Sequence, residues 1–246
     1  MSLPSDELRD LYEARAEQQY GSAVPLPDPR LDRKFARICA LVREQLPCEA
    51  FLDAGCGDGR YLAALEAELP ARVAGVDISE RILETARARV PRADLRQANL
   101  ESLPFDDGAF DLVLSSQVIE HVVDADAALR ELARVLRPDG ALVLSTDNKW
   151  NVVTRTLNAP RMAAARALRL RGSRGLIESP ATPYTTKSLR ARVSAAGLRV
   201  EHSETFRFHL MWPVALPPLV RLLNALDAHL PSHRVGDILV VVARKP

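Results

Sequence analysis

Cysteine, aromatic side chains and excess charge of either sign are scarce in this sequence of 246 residues. Its three cysteines, Cys39, Cys48 and Cys56, lack a paired metal-binding spacing and form no disulfide framework, so we expect a reducing compartment. The 33 Lys and Arg residues nearly balance the 32 Asp and Glu residues, which gives no support to a general affinity for nucleic acid. Aromatic residues make up 5% of the chain, too few for a base-stacking platform.

Long apolar runs and metal-ligand clusters are also missing from the sequence. No run approaches the roughly 18 apolar residues of a membrane-spanning helix, and the acidic, polar residues 1–21 do not read as a signal peptide. We therefore expect a cytoplasmic protein. His229 and His233 are separated by Pro231 and cannot share one face of a regular helix, so we predict no metal.

Apolar segments alternate with amphipathic ones from residue 50 to residue 148, and hydrophobic residues make up 47% of the chain. This alternation predicts a parallel sheet covered by helices on both faces. Two late strands lack a crossover helix between them, so one should join the sheet antiparallel. The predicted fold class is α/β, a Rossmann-like doubly wound seven-stranded sheet, mostly parallel with an antiparallel last strand. The predicted strands are 50–55, 72–78, 93–100, 110–117, 141–148, 199–208 and 237–246, and the predicted helices in this part of the chain are 59–69, 79–90, 124–136 and 185–198.

Three local signals mark the ends of these elements. Ser79 is a plausible N-cap of the helix that follows the second strand. Gly197 stands at the C-terminal end of helix 185–198, where a left-handed residue is common. The stretch RPDG, residues 137–140, predicts a turn into the fifth strand.

A glycine-rich turn, DAGCGDG at residues 53–59, follows the first predicted strand. Glycine permits positive φ and lets a ligand approach the bare backbone. In a doubly wound sheet, this turn lies where ligands bind. The second strand ends in Asp77, about twenty residues further on, where a carboxylate can accept both hydroxyl protons of a ribose. The pairing indicates a cofactor that contains adenosine, either NAD or S-adenosylmethionine.

Two features separate these cofactors. The spacing G-x-G-x-G is tighter than the G-x-G-x-x-G of dinucleotide-binding turns. Asp53 directly precedes the turn, and its carboxylate would repel a pyrophosphate but attract an ammonium or a sulfonium. Both features favour S-adenosylmethionine.

Four ordered segments, LDAGCGDGRY, VAGVDIS, ANLESLPFDDGAFDLVLSSQVIEHV and LARVLRPDGALVLST, carry a family resemblance. Across residues 50–147 the sequence resembles the class I S-adenosylmethionine-dependent methyltransferases, and is most similar to the type 11 branch with the ubiquinone and menaquinone methyltransferases. The resemblance implies that Asp77 holds the ribose diol, Ile78 packs on adenine and Gln117 lies near the transferred methyl group. It also implies S-adenosyl-L-methionine as cofactor. The complete implied cofactor-binding set is Asp53, Gly55, Gly57, Gly59, Asp77, Ile78, Asn99, Leu100 and Gln117.

Several members of this set have a structural interpretation as well. Gly59 can serve only close packing of a helix, and Ile78 can be an ordinary core residue. Many relatives have Asp where Asn99 stands, but an amide carbonyl can still accept a hydrogen bond from the adenine amino group.

His121 is the candidate catalytic base. It follows the fourth strand, on the rim where an acceptor would approach, and a free imidazole titrates near neutral pH. A contact with the substrate and a purely structural role remain open for it.

The predicted organisation has four parts: an N-terminal helical lid at 1–48, a cofactor-binding core at 49–148, a basic helical insert at 149–184, and a C-terminal part at 185–246 with an apolar helical insert at 210–231. Residues 149–177 contain seven Lys and Arg residues and no Asp or Glu. This composition fits recognition of an anionic group, or peripheral contact with the inner membrane surface.

We therefore predict a methyltransferase that acts on an oxygen or carbon of a small, amphiphilic or lipid-like acceptor. The alternatives are a non-catalytic S-adenosylmethionine-binding regulatory or interaction protein and, from another class, an NAD-dependent oxidoreductase. The sequence gives no oligomeric state.

Overall fold

The computed structural model describes residues 5–19, 25–28, 32–148, 184–206 and 238–246. The predicted basic insert, apart from Tyr184, and the apolar insert 210–231 lie outside these ranges, as do His209, His229 and His233. Predictions about those segments therefore stay predictions. Among the described residues, no helix is both long and apolar enough to cross a membrane.

Six helices and seven strands make up the described part of the chain, and their bounds lie within a few residues of the predicted ones. The helices are α1 Ser5–Gln19, α2 Arg33–Arg43, α3 Arg60–Leu65, α4 Glu80–Arg89, α5 Ala125–Val135 and α6 Thr186–Ala195. The strands are β1 Ala50–Ala54, β2 Arg72–Asp77, β3 Asp94–Gln97, β4 Phe110–Ser116, β5 Leu136–Asp147, β6 Arg199–Phe206 and β7 Ile238–Arg244.

All seven strands form one sheet in the order β3-β2-β1-β4-β5-β7-β6. Strands β1 to β5 pair in parallel, and β7 runs antiparallel between β5 and β6. The predicted fold class is confirmed. The strand order reverses between β1 and β4, which places a ligand-binding crevice beyond the carboxyl ends of these two strands.

Helices cover both faces of the sheet, which explains why the inner strands are mostly apolar. Every residue of β1 is buried. Its side chains alternate between faces. Phe51 packs in the cluster with Ile38 of α2 and Leu83 of α4, whereas Leu52 packs in the cluster with Leu129 of α5.

Helix ends follow the predicted capping residues. The Ser79 hydroxyl accepts a hydrogen bond from the Ile82 amide, so its N-cap role is confirmed. Gly197 follows α6 with φ +88°, as expected for the residue after a helix. Helix α3 ends at Leu65, four residues earlier than predicted, and the chain continues in a turn.

The RPDG stretch departs from its prediction as a simple turn. Strand β5 already begins at Leu136, which pairs with Phe110 of β4. The next partners are Leu112 and Ala141, so the RPDG residues form an irregularity within the strand. Asp139 has φ +60°, a left-handed conformation that Asp tolerates.

Candidate functional site

A cavity of about 410 Å³ lies at the carboxyl ends of the parallel strands. This volume is within the range of ligand-binding pockets. The glycine turn, the ends of β2, β3 and β4, and residues of α1 and α2 enclose it. The lining includes eight residues named from the sequence: Gly55, Gly57, Asp77, Ile78, Asn99, Leu100, Gln117 and His121.

Two glycines of the turn bring the backbone to the cavity. Gly55 has φ +87°, and a side chain there would clash with Val118. Its amide and that of Cys56 both donate to the Val76 carbonyl at 2.8 Å, which ties the turn to β2. Gly57 has φ +53°, and a Cβ atom there would have no neighbour within 4 Å. The open backbone at Gly57 therefore leaves room for a ligand.

Gly59 and Asp53 do not line the cavity. A Cβ atom on Gly59 would lie 3.2 Å from the Val90 side chain and 3.3 Å from that of Ala86, so this glycine permits α3 and α4 to approach. Asp53 is 1% exposed, behind the turn. Their predicted contacts with a cofactor stay predictions.

Asp77 presents a half-buried carboxylate at the end of β2. Its two oxygens accept hydrogen bonds from the Gly57 amide at 2.9 Å and the Ser79 amide at 3.0 Å. Burial raises the pKa of Asp77, and these amide donors oppose that effect. Each carboxylate oxygen has a second acceptor position. Asp77 can therefore accept hydroxyl groups of a ligand while it holds the glycine turn.

Two acidic side chains, Asp53 and Asp58, lie buried close to the glycine turn. Neither Asp53 carboxylate oxygen has a hydrogen-bond partner among the described residues. Burial, followed by the charges of Asp77 and Asp58, raises the pKa of Asp53 to about 8. Asp58 is paired with Arg60 at 2.8 Å and Arg89 at 3.0 Å. Without a ligand Asp53 is therefore mostly protonated at neutral pH, and a cation bound next to it would favour its charged form.

The wall at β2 and β3 is mostly apolar. Ile78, Ile82, Ala98 and Leu100 line it, and Asn99 adds a polar group. The Asn99 carbonyl oxygen accepts from the Glu101 amide at 3.1 Å, which orients the side chain. A flat heterocycle with a polar edge fits this combination.

The opposite wall, at the end of β4, is polar. Gln117 has φ +60°, rare for a residue with a side chain. In the orientation of the Gln117 side-chain amide that gives both its nitrogen and its oxygen a partner, the nitrogen donates to Asp147 Oδ1 at 2.9 Å and the oxygen accepts from the Thr146 backbone amide at 3.3 Å. The buried Glu120 accepts from the Thr146 hydroxyl at 2.8 Å. Strand β5 thus holds the β4 loop in place.

His121 lines the same cavity. Its ring makes an edge contact with Tyr12 of α1, with centroids 5.9 Å apart. This position is compatible with a reacting acceptor, and a role as catalytic base stays a prediction. The described residues contain no group of three or more His, Cys, Asp or Glu side chains that could hold a metal ion.

The sequence analysis assigned no role to several residues of the site. Lys34, Phe35 and Tyr61 line the cavity, and the Phe35 and Tyr61 rings stack with centroids 5.1 Å apart. Tyr61 had a weak sequence signal because it closely follows the glycine turn. Lys34 and Phe35 had none, since only the packing of α2 against the sheet brings them to the cavity.

The fold and this site define an α/β protein with a ligand-binding crevice at the carboxyl ends of its parallel strands. Residues 52–144 match the family model "Methyltransferase domain". A "Probable S-adenosylmethionine-dependent methyltransferase" of Mycobacterium tuberculosis is 41% identical over 128 residues, which are 50% of this chain and 46% of that protein. A malonyl-[acyl-carrier protein] O-methyltransferase of Pseudescherichia vulneris is 28% identical over 225 residues, 81% of this chain and 86% of that protein.

Among solved structures, magnesium protoporphyrin IX methyltransferase of Synechocystis with bound S-adenosylhomocysteine superposes with a TM-score of 0.63 at 17% identity, covering 99% of this chain and 100% of that one. Residues 52–144 are therefore a methyltransferase domain of this family, with the Rossmann-like fold of class I S-adenosylmethionine-dependent methyltransferases. The family's cofactor is S-adenosylmethionine. The chain spans less than half the length of the first curated relatives that it matches.

Proposed function

We propose that this protein transfers a methyl group from S-adenosylmethionine to an oxygen or carbon atom of a small acceptor. The observation that carries the proposal is the pairing of Asp77 with the open backbone at Gly57, on the wall of a cavity at the carboxyl ends of the parallel strands. The O-methyltransferase among the relatives favours oxygen. When bound, the cofactor supplies an already activated methyl group on a sulfonium.

Each wall of the cavity has a separate task in this proposal. Asp77 accepts the ribose hydroxyls, and Ile78 and Leu100 pack against the adenine. Asn99 meets the polar edge of the base. The positive charge of the bound cofactor lowers the pKa of Asp53 and favours its charged form, which then attracts the cofactor. These contacts position the methyl group toward the β4 wall, and positioning is the main requirement of a displacement at an activated carbon.

The β4 wall faces the acceptor. Gln117, fixed by Thr146 and Asp147, presents its backbone to the reacting region. The imidazole of His121 takes up a proton from a hydroxyl acceptor as the new bond to carbon forms. An acceptor that enters as an anion needs no base, and the His121 contribution is then limited to shaping the pocket.

The test is calorimetric titration of S-adenosylmethionine and S-adenosylhomocysteine into wild type and Asp77→Asn, with NAD as a control ligand. We expect the variant to bind both sulfur nucleotides at least about tenfold more weakly, since hydrogen bonds to a charged group are worth about 1.5–3 kcal/mol. Asp94→Asn, at the exposed start of β3, is the matched control and should bind as wild type does. Wild type that binds NAD and neither sulfur nucleotide would overturn the proposal.

A further inference from the structure

Two side chains with a permanent positive charge line the cavity among the described residues, Lys34 and Arg60. The Arg60 guanidinium is occupied, because it donates to both Asp58 carboxylate oxygens, at 2.8 and 3.2 Å. Lys34 differs. Its ammonium group makes no hydrogen bond or ion pair with any residue that the structure describes.

The acidic side chains of the lining are engaged elsewhere. An Asp32 carboxylate oxygen accepts from the Phe35 amide at 2.9 Å and caps α2. Asp58 lies between Arg60 and Arg89. Asp77 accepts from two backbone amides. Each of these carboxylates thus has its own partners, and none is within ion-pair distance of Lys34.

Lys34 belongs to the β4 side of the cavity. The next residue, Phe35, stacks on Tyr61, whose hydroxyl accepts from Ser116 at the end of β4 at 3.3 Å. Burial raises the pKa of Glu120, four residues after Ser116, and the Lys34 charge acts in the opposite direction. Both observations place Lys34 on the β4 side of the cavity.

We propose that the Lys34 ammonium binds a carboxylate of a ligand at the β4 side of the cavity. An unpaired cation beside a partly enclosed, polar wall favours an anion, and a carboxylate gives it a charge-assisted hydrogen bond. The carboxylate has two possible sources, the amino-acid end of S-adenosylmethionine or an acidic acceptor. The inference rests on the proposed function, which supplies both ligands.

The experiment compares wild type, Lys34→Met and Lys34→Arg by calorimetry. S-adenosylhomocysteine carries the amino-acid carboxylate, and 5′-methylthioadenosine keeps the nucleoside and sulfur without it. If the cofactor is the source, Lys34→Met binds S-adenosylhomocysteine at least about tenfold more weakly and methylthioadenosine as wild type does, and Lys34→Arg retains most of the affinity. Lys187→Met, on the exposed face of α6, is the matched control.

A second arm tests the acceptor as the source. Protein saturated with S-adenosylhomocysteine is titrated with octanoate and with octanamide, which has the same chain without the charge. If wild type binds octanoate and Lys34→Met does not, while both bind S-adenosylhomocysteine equally well, the carboxylate belongs to the acceptor. Equal behaviour of wild type and Lys34→Met in both arms overturns the Lys34 proposal. Wild type that binds no S-adenosylhomocysteine overturns the proposed function instead, and titration of the unliganded wild type and Lys34→Met with octanoate and octanamide then decides the role of Lys34.

Discussion

Glu120 and Asp53 are carboxylic acids that the fold buries almost completely, each 1% exposed. Glu120 has a partner in the Thr146 hydroxyl, whereas neither oxygen of Asp53 has one among the described residues. Removal from water disfavours the charged form of both groups. Ionisation of either residue therefore destabilises the folded protein, and such shifted pKa values are common at functional sites.

Glu120→Gln should make the stability of the protein less sensitive to pH. Burial raises the Glu120 pKa from 4.5 to about 7 in the folded state. Below pH 4.5 both states are protonated, and between pH 4.5 and 7 only the unfolded state loses its proton, so wild type loses stability there and the loss levels off above pH 7. The variant should gain up to about 3 kcal/mol on wild type between pH 4.5 and pH 8.

Urea denaturation of both proteins without cofactor, at a series of pH values, measures this difference. Glu84→Gln changes an exposed carboxyl on α4 and should follow wild type across the series. A constant gap between Glu120→Gln and wild type over the whole range would contradict the expectation.

At the scale of elements, helix α1 is attached to the site by polar contacts. None of its described side chains is buried. Glu13 accepts from the Glu80 amide at 2.7 Å, the Ser79 hydroxyl at 3.0 Å and the Arg81 amide at 3.3 Å, all at the N-terminus of α4. A carboxylate there satisfies free amides and complements the helix dipole. The same contact carries Tyr12 to the cavity wall.

Glu13→Ala should loosen α1. We expect faster backbone amide exchange over α1. We also expect roughly three- to tenfold weaker binding of S-adenosylhomocysteine, because α1 then holds Tyr12 at the cavity wall for a smaller fraction of the time. Hydrogen-exchange mass spectrometry measures the first effect and calorimetry the second. Glu7→Ala, an exposed acid on the same helix, should change neither. Unaltered exchange in Glu13→Ala would show that other contacts hold α1.

For the whole molecule, the last strand completes the sheet. Strand β7 pairs with β5 on one side and β6 on the other, and six of its seven side chains are buried. The core of the sheet is therefore incomplete without β7. Strand β7 contributes to both hydrophobic clusters, with Leu239, Val241 and Ala243 in one and Ile238, Val240 and Val242 in the other.

Deletion of residues 238–246 should unfold the protein. Burial of a Val, Leu or Ile side chain contributes about 1.5–3 kcal/mol, so the lost strand outweighs the roughly 5–15 kcal/mol stability of a typical domain. Circular dichroism melting and solubility measure the effect. Deletion of Pro246 alone, which is exposed, should leave the melting temperature unchanged. If the truncated protein melted cooperatively at the wild-type temperature, that result would contradict this role of β7.

Much of the fold could be predicted because the local hydrophobic and capping patterns of the sequence agree with the elements that form in the folded protein. Mainly apolar runs such as that of β1 mark buried parallel strands, and the Ser79 cap and Gly197 mark helix ends by their own chemistry. The start of β5 could not be predicted. Pro138 and Asp139 favour a turn locally, and the pairing of Leu136 with Phe110 across the sheet extends the strand through it.

Within the site, the sequence by itself determined the residues that follow strands: the turn at Gly55 and Gly57, Asp77 and Gln117. These positions depend on strand order and side-chain type, and both can be predicted from local segments of the sequence. Tertiary structure alone decided that Gly59 packs between helices and that Asp53 lies behind the turn. It also brought Glu13 and Lys34 to the site from α1 and α2, because contacts between distant segments depend on packing, which no local pattern encodes.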